Sequence, residues 1–368
     1  MDSYTILTLD AGGTNFEFHA IRNNKDITEP IVLPSKGDEL SACLKNIVDG
    51  FQRQKKAVGS EVHAISFAFP GPADYSNGII GDLQNLPGFR GGVALGPMLE
   101  DQFKVPVFIN NDGDLFAYGE ALCGILPEIN AELAYAGSPK TFRNLLGLTL
   151  GTGFGAGIVS DEQLFLGDNS AAAEIWCTRN KLDRDSYAEE GVSIRAVRRA
   201  YAERAGLDIE SVPEPVDIAA IAEGKMQGDI EAAKYTFQRL GEVAGDAAAN
   251  AVTMIDGLVV IGGGLAGAGK HFLQAMVDEM NRELVSVTGR DTVPRTELTV
   301  FNLEDPEQKD KFLLGSATTI QVPGTKRTVP YDSQKRIGVA ISKLGAARAV
   351  SLGAYTYAVK KLDCRNHR

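Results

Sequence analysis

The chain has 368 residues, enough for two domains of about 150 residues each. Its 44% hydrophobic and 23% charged residues exclude a disordered chain, and 37 basic against 48 acidic residues give a net charge of −11, which offers no general grip on nucleic acid or an anionic membrane. Glycine is in surplus: 40 of 368, or 11%, against a usual level of roughly 7%, with no Gly-X-Y period. The surplus must therefore belong to particular loops. Cys43, Cys123, Cys177 and Cys364 lie far apart with no CxxC spacing, so they form neither a disulfide framework nor a zinc signature. The opening segment MDSYTILTLD lacks the charged and apolar regions of a signal peptide, and no apolar run approaches the ~18 residues of a membrane span. A soluble, cytoplasmic protein is expected.

In chain order, residues 4–10 read as a buried strand, Gly12 and Gly13 as a turn, and residues 15–21 as a return strand. The spacing of Leu40, Leu44, Ile47, Val48 and Phe51 predicts a helix over 38–58. Residues 62–69 form a strand that PGP at 70–72 stops. Residues 70–104, rich in Gly, Pro and Asn, read as a long connection of the kind that carries function. A short strand at 105–109 opens into NNDGD and a helix over 114–124, and residues 131–143 read as an exposed insertion. A second unit follows, with a strand at 144–150, the glycine turn GTGFGAG, and helices near 192–205 and 228–253. A strand at 257–261 is broken by GGG before a helix over 269–284. Residues 296–335 read as irregular apart from a strand in LTVFNLE. A last strand at 336–342 and an Ala-rich helix over 345–362 close the chain. The domains expected are 1–120, joined by the C-terminal helix 345–368, and 121–344, with an insertion at 291–335.

The strand–glycine turn–strand unit at Leu7–Asn15 is echoed at Leu148–Gly155, which suggests a duplicated domain. Such hairpins suit phosphate, because backbone N–H groups without a neighbouring Cβ approach an anion closely. The first adds a carboxylate, Asp10, and a hydroxyl, Thr14, and the second adds Thr152. The third cluster, VVIGGGLAGAGK, follows a strand and opens a helix, where a nucleotide can be received. A Rossmann reading is weakened by its late position after a long helix. A Walker A reading fails because His271, after Lys270, occupies the hydroxyl position. One glycine pair after a strand is usually only a turn, but three such clusters over both halves are harder to dismiss.

LTLDAGGTN, FAFPGP, LQNLPGF, FINNDGD, LTLGTGFGAG and VVIGGG occur in the order found in actin-like sugar kinases, and the chain resembles the ROK group among them over most of residues 4–290 and 336–362. The resemblance implies an α/β fold of two ribonuclease-H-like domains around a central cleft. It also implies transfer of the ATP γ-phosphate to a sugar hydroxyl, with ATP and Mg²⁺ as cofactors. It gives Asp112 as general base, Asn111 and Asn85 as sugar contacts, and Glu174 and Glu189 as further sugar carboxylates, with Glu190 an adjacent alternative. It places Asp10, Gly12, Gly13, Thr14, Asn15, Gly151, Thr152 and Gly153 on phosphate, Gly263 and Gly264 along adenosine, and Asp10 on Mg²⁺ through water.

Each residue also has a plainer reading. Asn111 and Asp112 suit a helix cap, Glu189 and Glu190 a solvated helical first turn, and Asn85 a turn. His19 and His63 read as structural, and Trp176 as packing beneath sugar or as core. Cys177 stands where the family usually has a sugar-contacting His, and 174–191 lacks the His and three Cys of a family zinc site, so no structural zinc is expected. The expected function is hexokinase- or glucokinase-like phosphorylation in carbohydrate metabolism and glycolysis, giving a sugar 6-phosphate. The expected partners are a small-molecule sugar and a second copy in a homodimer, with no nucleic acid and no membrane. Alternatives are a kinase for fructose, an N-acetylhexosamine or allose, a sugar-responsive regulator, or an actin-like ATPase. The regulator is disfavoured by the nine residues before Asp10 and by the acidic charge.

Overall fold

The structure, a computed structural model, describes residues 4–366. Met1–Ser3, part of the segment read above for a leader, and His367–Arg368, at the end of the expected closing helix, lie outside the described residues. The chain divides into two compact units: Met1–Cys123 with Leu164–Ala172 and Ala346–Arg368, and Gly124–Gln163 with Ala173–Gly345.

In the first unit, β1 (Ile6–Ala11) and β2 (Asn15–Arg22) form an antiparallel hairpin in which Thr8 opposes His19 and Asp10 opposes Glu17. The short strands β3 (Lys25–Asp26) and β4 (Ile31–Pro34) both pair with β2. Helix α1 (Leu40–Val58) leads to β5 (Ala64–Ala68), parallel to β1. The long connection contains the tiny hairpin β6 (Ala73–Asp74) and β7 (Ile79–Ile80) and a helix the sequence reading lacks, α2 (Leu95–Phe103). Then β8 (Val107–Asn110) pairs parallel with β5, and α3 (Asp112–Cys123) follows at once. Strand alternation sorts the faces. Leu7, Leu9, Phe16, Phe18, Ile65, Phe67 and Ile109 join Ile47 and Phe51 of α1 in one core, where the Phe18 and Phe51 rings meet edge to face at 5.0 Å.

The second unit begins with α4 (Ile125–Tyr135). Its sheet runs β11 (Gln163–Leu164), β10 (Phe154–Ser160), β9 (Asn144–Leu150), β12 (Leu258–Gly262), β18 (Arg336–Ile341), β15 (Thr299–Asn302). As in the first sheet, an antiparallel glycine hairpin (β9–β10) is followed by parallel partners, so the sequence echo corresponds to a repeated strand order. Helices α5 (Ile194–Ala205), α6 (Pro215–Ala222), α7 (Ile230–Ile255) and α8 (Gly269–Met280) belong to this unit. It also holds the hairpins β13 (Glu283–Val285)–β14 (Thr292–Pro294) and β16 (Ala317–Gln321)–β17 (Thr328–Asp332), with α9 (Pro306–Leu314) before the latter.

Two readings need correction. Residues 131–143 are no exposed insertion: 131–135 continue α4, and Leu133 and Phe142 are buried. Residues 296–335 are not mostly irregular, because β15 lies in the sheet, α9 buries Phe312, and only the β16–β17 hairpin stands largely exposed. Short runs split by turns hid these elements, since periodicity needs a longer window to register.

The closing helix α10 (Ala346–Asn366) returns to the first unit and covers the other face of its sheet, through Tyr355 and Ala358 against Ile6, Ile21 and Ala64. A Cβ on Gly119 of α3 would strike the Ala349 carbonyl, and one on Gly353 the Leu115 carbonyl, so α3 and α10 touch backbone to backbone. That contact seats the first turn of α3, which carries Asp112.

Candidate active site

In the first unit the sequence-nominated residues converge. Asp10, Gly13, Asn85, Asn111 and Asp112 line one pocket of about 360 Å³, together with Phe69, Pro70, Gly71 and Val350. Asp10 arrives at the end of β1, Asn111 and Asp112 at the junction of β8 and α3, and Asn85 from the long connection. Gly12, Thr14 and Asn15 complete the β1–β2 turn beside Gly13. The carbonyls of Gly13 and Thr14 accept from Ser35 Oγ (2.5 Å) and Ser35 N–H (2.9 Å), which occupies acceptors that would repel an anion. A Cβ on Gly12 would lie 2.8 Å from the Asn15 carbonyl oxygen, whereas one on Gly13 would meet nothing within 4 Å.

The capping reading of NND also holds. Gly113 N–H donates to Asn111 Oδ1 (2.8 Å) and to Asp112 Oδ1 (2.9 Å). These bonds fix both side chains at the pocket wall and are compatible with a catalytic role. Asp112 is reachable by solvent within the pocket, yet the protein around it raises its carboxyl above the ordinary range, only partly offset by the backbone bonds. Asp10 is also raised, by burial first, then by Glu17 and Asp112, with His19 opposing. Tyr75, which the sequence reading did not single out, donates to the Phe69 carbonyl (2.9 Å) and receives Asn111 Nδ2 at 3.5 Å.

In the second unit the second and third glycine clusters meet. Gly263 has φ +89°, and a Cβ there would lie 2.7 Å from Leu150 N, while a Cβ on Gly151 would find Gly264 N at 3.7 Å. The β9–β10 turn is held from one side by the segment 189–195. Ile194 N–H donates to the Gly151 carbonyl (2.8 Å), Phe154 N–H to Glu189 Oε2 (3.0 Å), and Arg195 Nη1 to the Thr152 carbonyl (3.4 Å). Glu189 thus sits on the turn containing Gly153, where a Cβ would come within 2.7 Å of Oε2. Glu190 is taken up otherwise: Tyr187 Oη and Arg195 Nε reach its Oε1, and Arg199 Nη1 its Oε2 (2.6 Å). Burial would raise the Glu190 carboxyl, but the bonds from Arg195 and Arg199 outweigh this and hold it low. Glu174 is not brought onto the turn. It pairs with the indole of Trp176, which is 41% exposed and lies edge to face with Tyr187, so Trp176 is not core. Cys177 is exposed, with its Sγ on the Glu174 carbonyl. Lys270 is paired with Glu223 (2.6 Å).

Among the described residues no group of three or more His, Cys, Asp or Glu forms a metal cage. Asp10 instead has one carboxylate with like charges on Glu17 and Asp112 nearby, a donor set that fits a divalent ion arriving with phosphate oxygens. No helix among the described residues is long and apolar enough to cross a membrane.

The ROK family model matches residues 6–305. The crystal structure of a glucokinase from Parabacteroides distasonis ATCC 8503 is 54% identical, with a TM-score of 0.90 and 98% of both chains covered. An N-acetyl-D-glucosamine kinase of Photobacterium profundum is 27% identical over 277 residues, covering 70% of this chain and 83% of the relative. A glucokinase of Thermotoga maritima is 25% identical over 296 residues, covering 73% and 85%.

Proposed function

Because this chain belongs to the ROK family, its residues 6–305 matching the family model, we propose that it is an ATP-dependent hexose kinase whose preferred acceptor is glucose and whose product is the 6-phosphate. The observation that carries this reading is the single pocket in which Asp10, Gly13, Asn85, Asn111 and Asp112 meet. The choice of glucose rests on the 54% identical glucokinase.

Asp112 accepts the proton of the attacking hydroxyl as charge develops, a contribution of roughly 10²–10⁴-fold. Its raised carboxyl suits this, since a carboxylate held above its ordinary range is a stronger proton acceptor. Asn111 and Asn85 orient the sugar, and Glu174 and Glu189 accept its hydroxyl hydrogens. In the first unit Gly12, Gly13, Thr14 and Asn15 contact phosphate. In the second, Gly151, Thr152 and Gly153 do so, and Gly263 and Gly264 lie along adenosine. Asp10 would hold Mg²⁺, and the ion would supply neutralisation of phosphate charge there. We place the enzyme in the cytoplasm, at the entry of glucose into glycolysis, as a homodimer of two-domain subunits.

The test is ADP release from the purified protein with glucose, mannose, fructose, N-acetylglucosamine, N-acetylmannosamine and allose, with and without Mg²⁺. Glucose should give the highest kcat/KM, and its product should be oxidised by a glucose 6-phosphate dehydrogenase. Turnover with none of the six sugars would overturn the reading. N-acetylglucosamine is a second candidate on the strength of the Photobacterium relative, and the same assay decides between them.

A further inference from the structure

Arg195 occupies the first turn of α5, just after the N-cap Ser193. A cation there opposes the helix dipole, so helix stability does not account for it. Its guanidinium instead spans three acceptors. Nη2 donates to Glu189 Oε1 (2.6 Å), Nε to Glu190 Oε1 (2.8 Å), and Nη1 to the Thr152 carbonyl (3.4 Å). The side chain remains 45% exposed, so it is anchored without being locked in the core. Glu189 in turn accepts from Phe154 N–H on the same turn. One planar fork therefore joins the proposed sugar carboxylate to the main chain of the proposed phosphate hairpin, within a single unit.

We propose that Arg195 is a positioning residue that makes nucleotide affinity depend on the acceptor sugar. The inference rests on the kinase reading above. An acceptor hydroxyl that donates to Glu189 Oε1 competes with Arg195 Nη2 for that atom. The guanidinium then shifts its hold toward the Thr152 side of the hairpin, the strand of backbone that meets phosphate. Sugar and nucleotide are thereby coupled, and the coupling is reciprocal.

The test is calorimetric titration of the imido analogue of ATP into the protein, with and without saturating glucose, or N-acetylglucosamine if that sugar turns over faster. In the wild type the sugar should change the Kd of the analogue by about fivefold or more. In Arg195→Met the ratio of the two Kd values should fall to about one and KM for ATP should rise about tenfold, with circular dichroism and Tm confirming a folded protein. Arg195→Lys keeps a charge but not the fork, and should give an intermediate ratio. An Arg195→Met variant with the wild-type ratio overturns the proposal, as does a sugar-phosphorylating wild type with a ratio of one. In both cases the kinase reading stands. Absence of sugar-dependent turnover in the wild type would overturn both.

Discussion

Asp112 and Asp10 line one pocket, and the charge of Asp112 helps to push the Asp10 carboxyl above its ordinary range, after burial and Glu17. A carboxyl that burial and neighbouring charge hold above its ordinary range costs the folded protein stability above its unfolded pKa, and such groups cluster at functional sites.

Asp112→Asn should therefore act in opposite directions on rate and stability. It removes the proposed base, so kcat should fall by at least ~10²-fold while ATP and sugar Kd values change little. The sign for stability follows from the raised carboxyl. A group whose folded pKa lies above its unfolded value stabilises the fold below the unfolded pKa, near 4, and loses that contribution as pH rises through the folded value. Above the unfolded pKa Asp112 is a net cost to the fold, and at pH 7 the Asn variant should melt at a higher temperature than the wild type. A variant that melts lower while keeping its turnover would remove Asp112 from the role given to it.

The same shifts set the pH profile. The acid limb of kcat/KM should lie above the ordinary Asp value of 3.8, because the base must be ionised and its carboxyl is raised. Carboxyl-carbon NMR of labelled aspartates should find the Asp10 midpoint lower in Asp112→Asn than in the wild type. It should still remain above 3.8, because burial is the larger cause. An Asp10 midpoint that does not move would mean that the two carboxylates do not sense each other.

The parts of this site that were legible in sequence were those set by backbone chemistry. Apolar strands followed by glycine located both hairpins, and NND after a strand located Asn111 and Asp112, because turns and strand ends impose residue types locally. Arg195, Tyr75 and Ser35 were not legible. Their roles come from hydrogen bonds to residues outside their own local segment, such as Thr152, Phe69 and Gly13, and no local pattern marks them. Glu189 and Glu190 were indistinguishable as neighbours in a first turn. The structure separates them by what each holds: the hairpin N–H of Phe154 for Glu189, and Arg199 for Glu190. The short helices α2, α6 and α9 escaped because eight or nine residues barely complete two turns of apolar periodicity.

Two adjacent glycines of the third cluster should respond differently to alanine. Gly263 combines φ +89° with a Cβ position 2.7 Å from Leu150 N, so Gly263→Ala should cost roughly 1–3 kcal/mol or more in urea unfolding. Gly264 has nothing within 4 Å of its Cβ position, and Gly264→Ala should unfold within about 0.5 kcal/mol of the wild type. If Gly264 borders adenosine as proposed, its alanine variant should instead raise KM for ATP. Equal stability losses at the two positions would contradict the difference in their surroundings.

Arg336 offers a test beside the segment that the sequence reading left mostly irregular. Its guanidinium is fully buried at the start of β18, where it pairs with Asp332, donates from Nε to the Phe312 carbonyl (2.6 Å) and lies 5.6 Å from the Phe312 ring. Phe312 stacks on Phe142 at 5.7 Å, so the charge pair closes a layer that joins α9 to the segment before β9. Burial would raise the Asp332 carboxyl, but the bond and charge of Arg336 together with the backbone N–H groups of Gln334 and Ser316 outweigh it and hold the carboxyl low. Removing the cation alone strands that carboxylate, and Arg336→Met should cost about 3–5 kcal/mol in urea unfolding. Arg336→Met combined with Asp332→Asn should lose less than the sum of the two single changes, because the second relieves the charge that the first exposes. Strict additivity would show that the pair contributes through packing rather than through its charges.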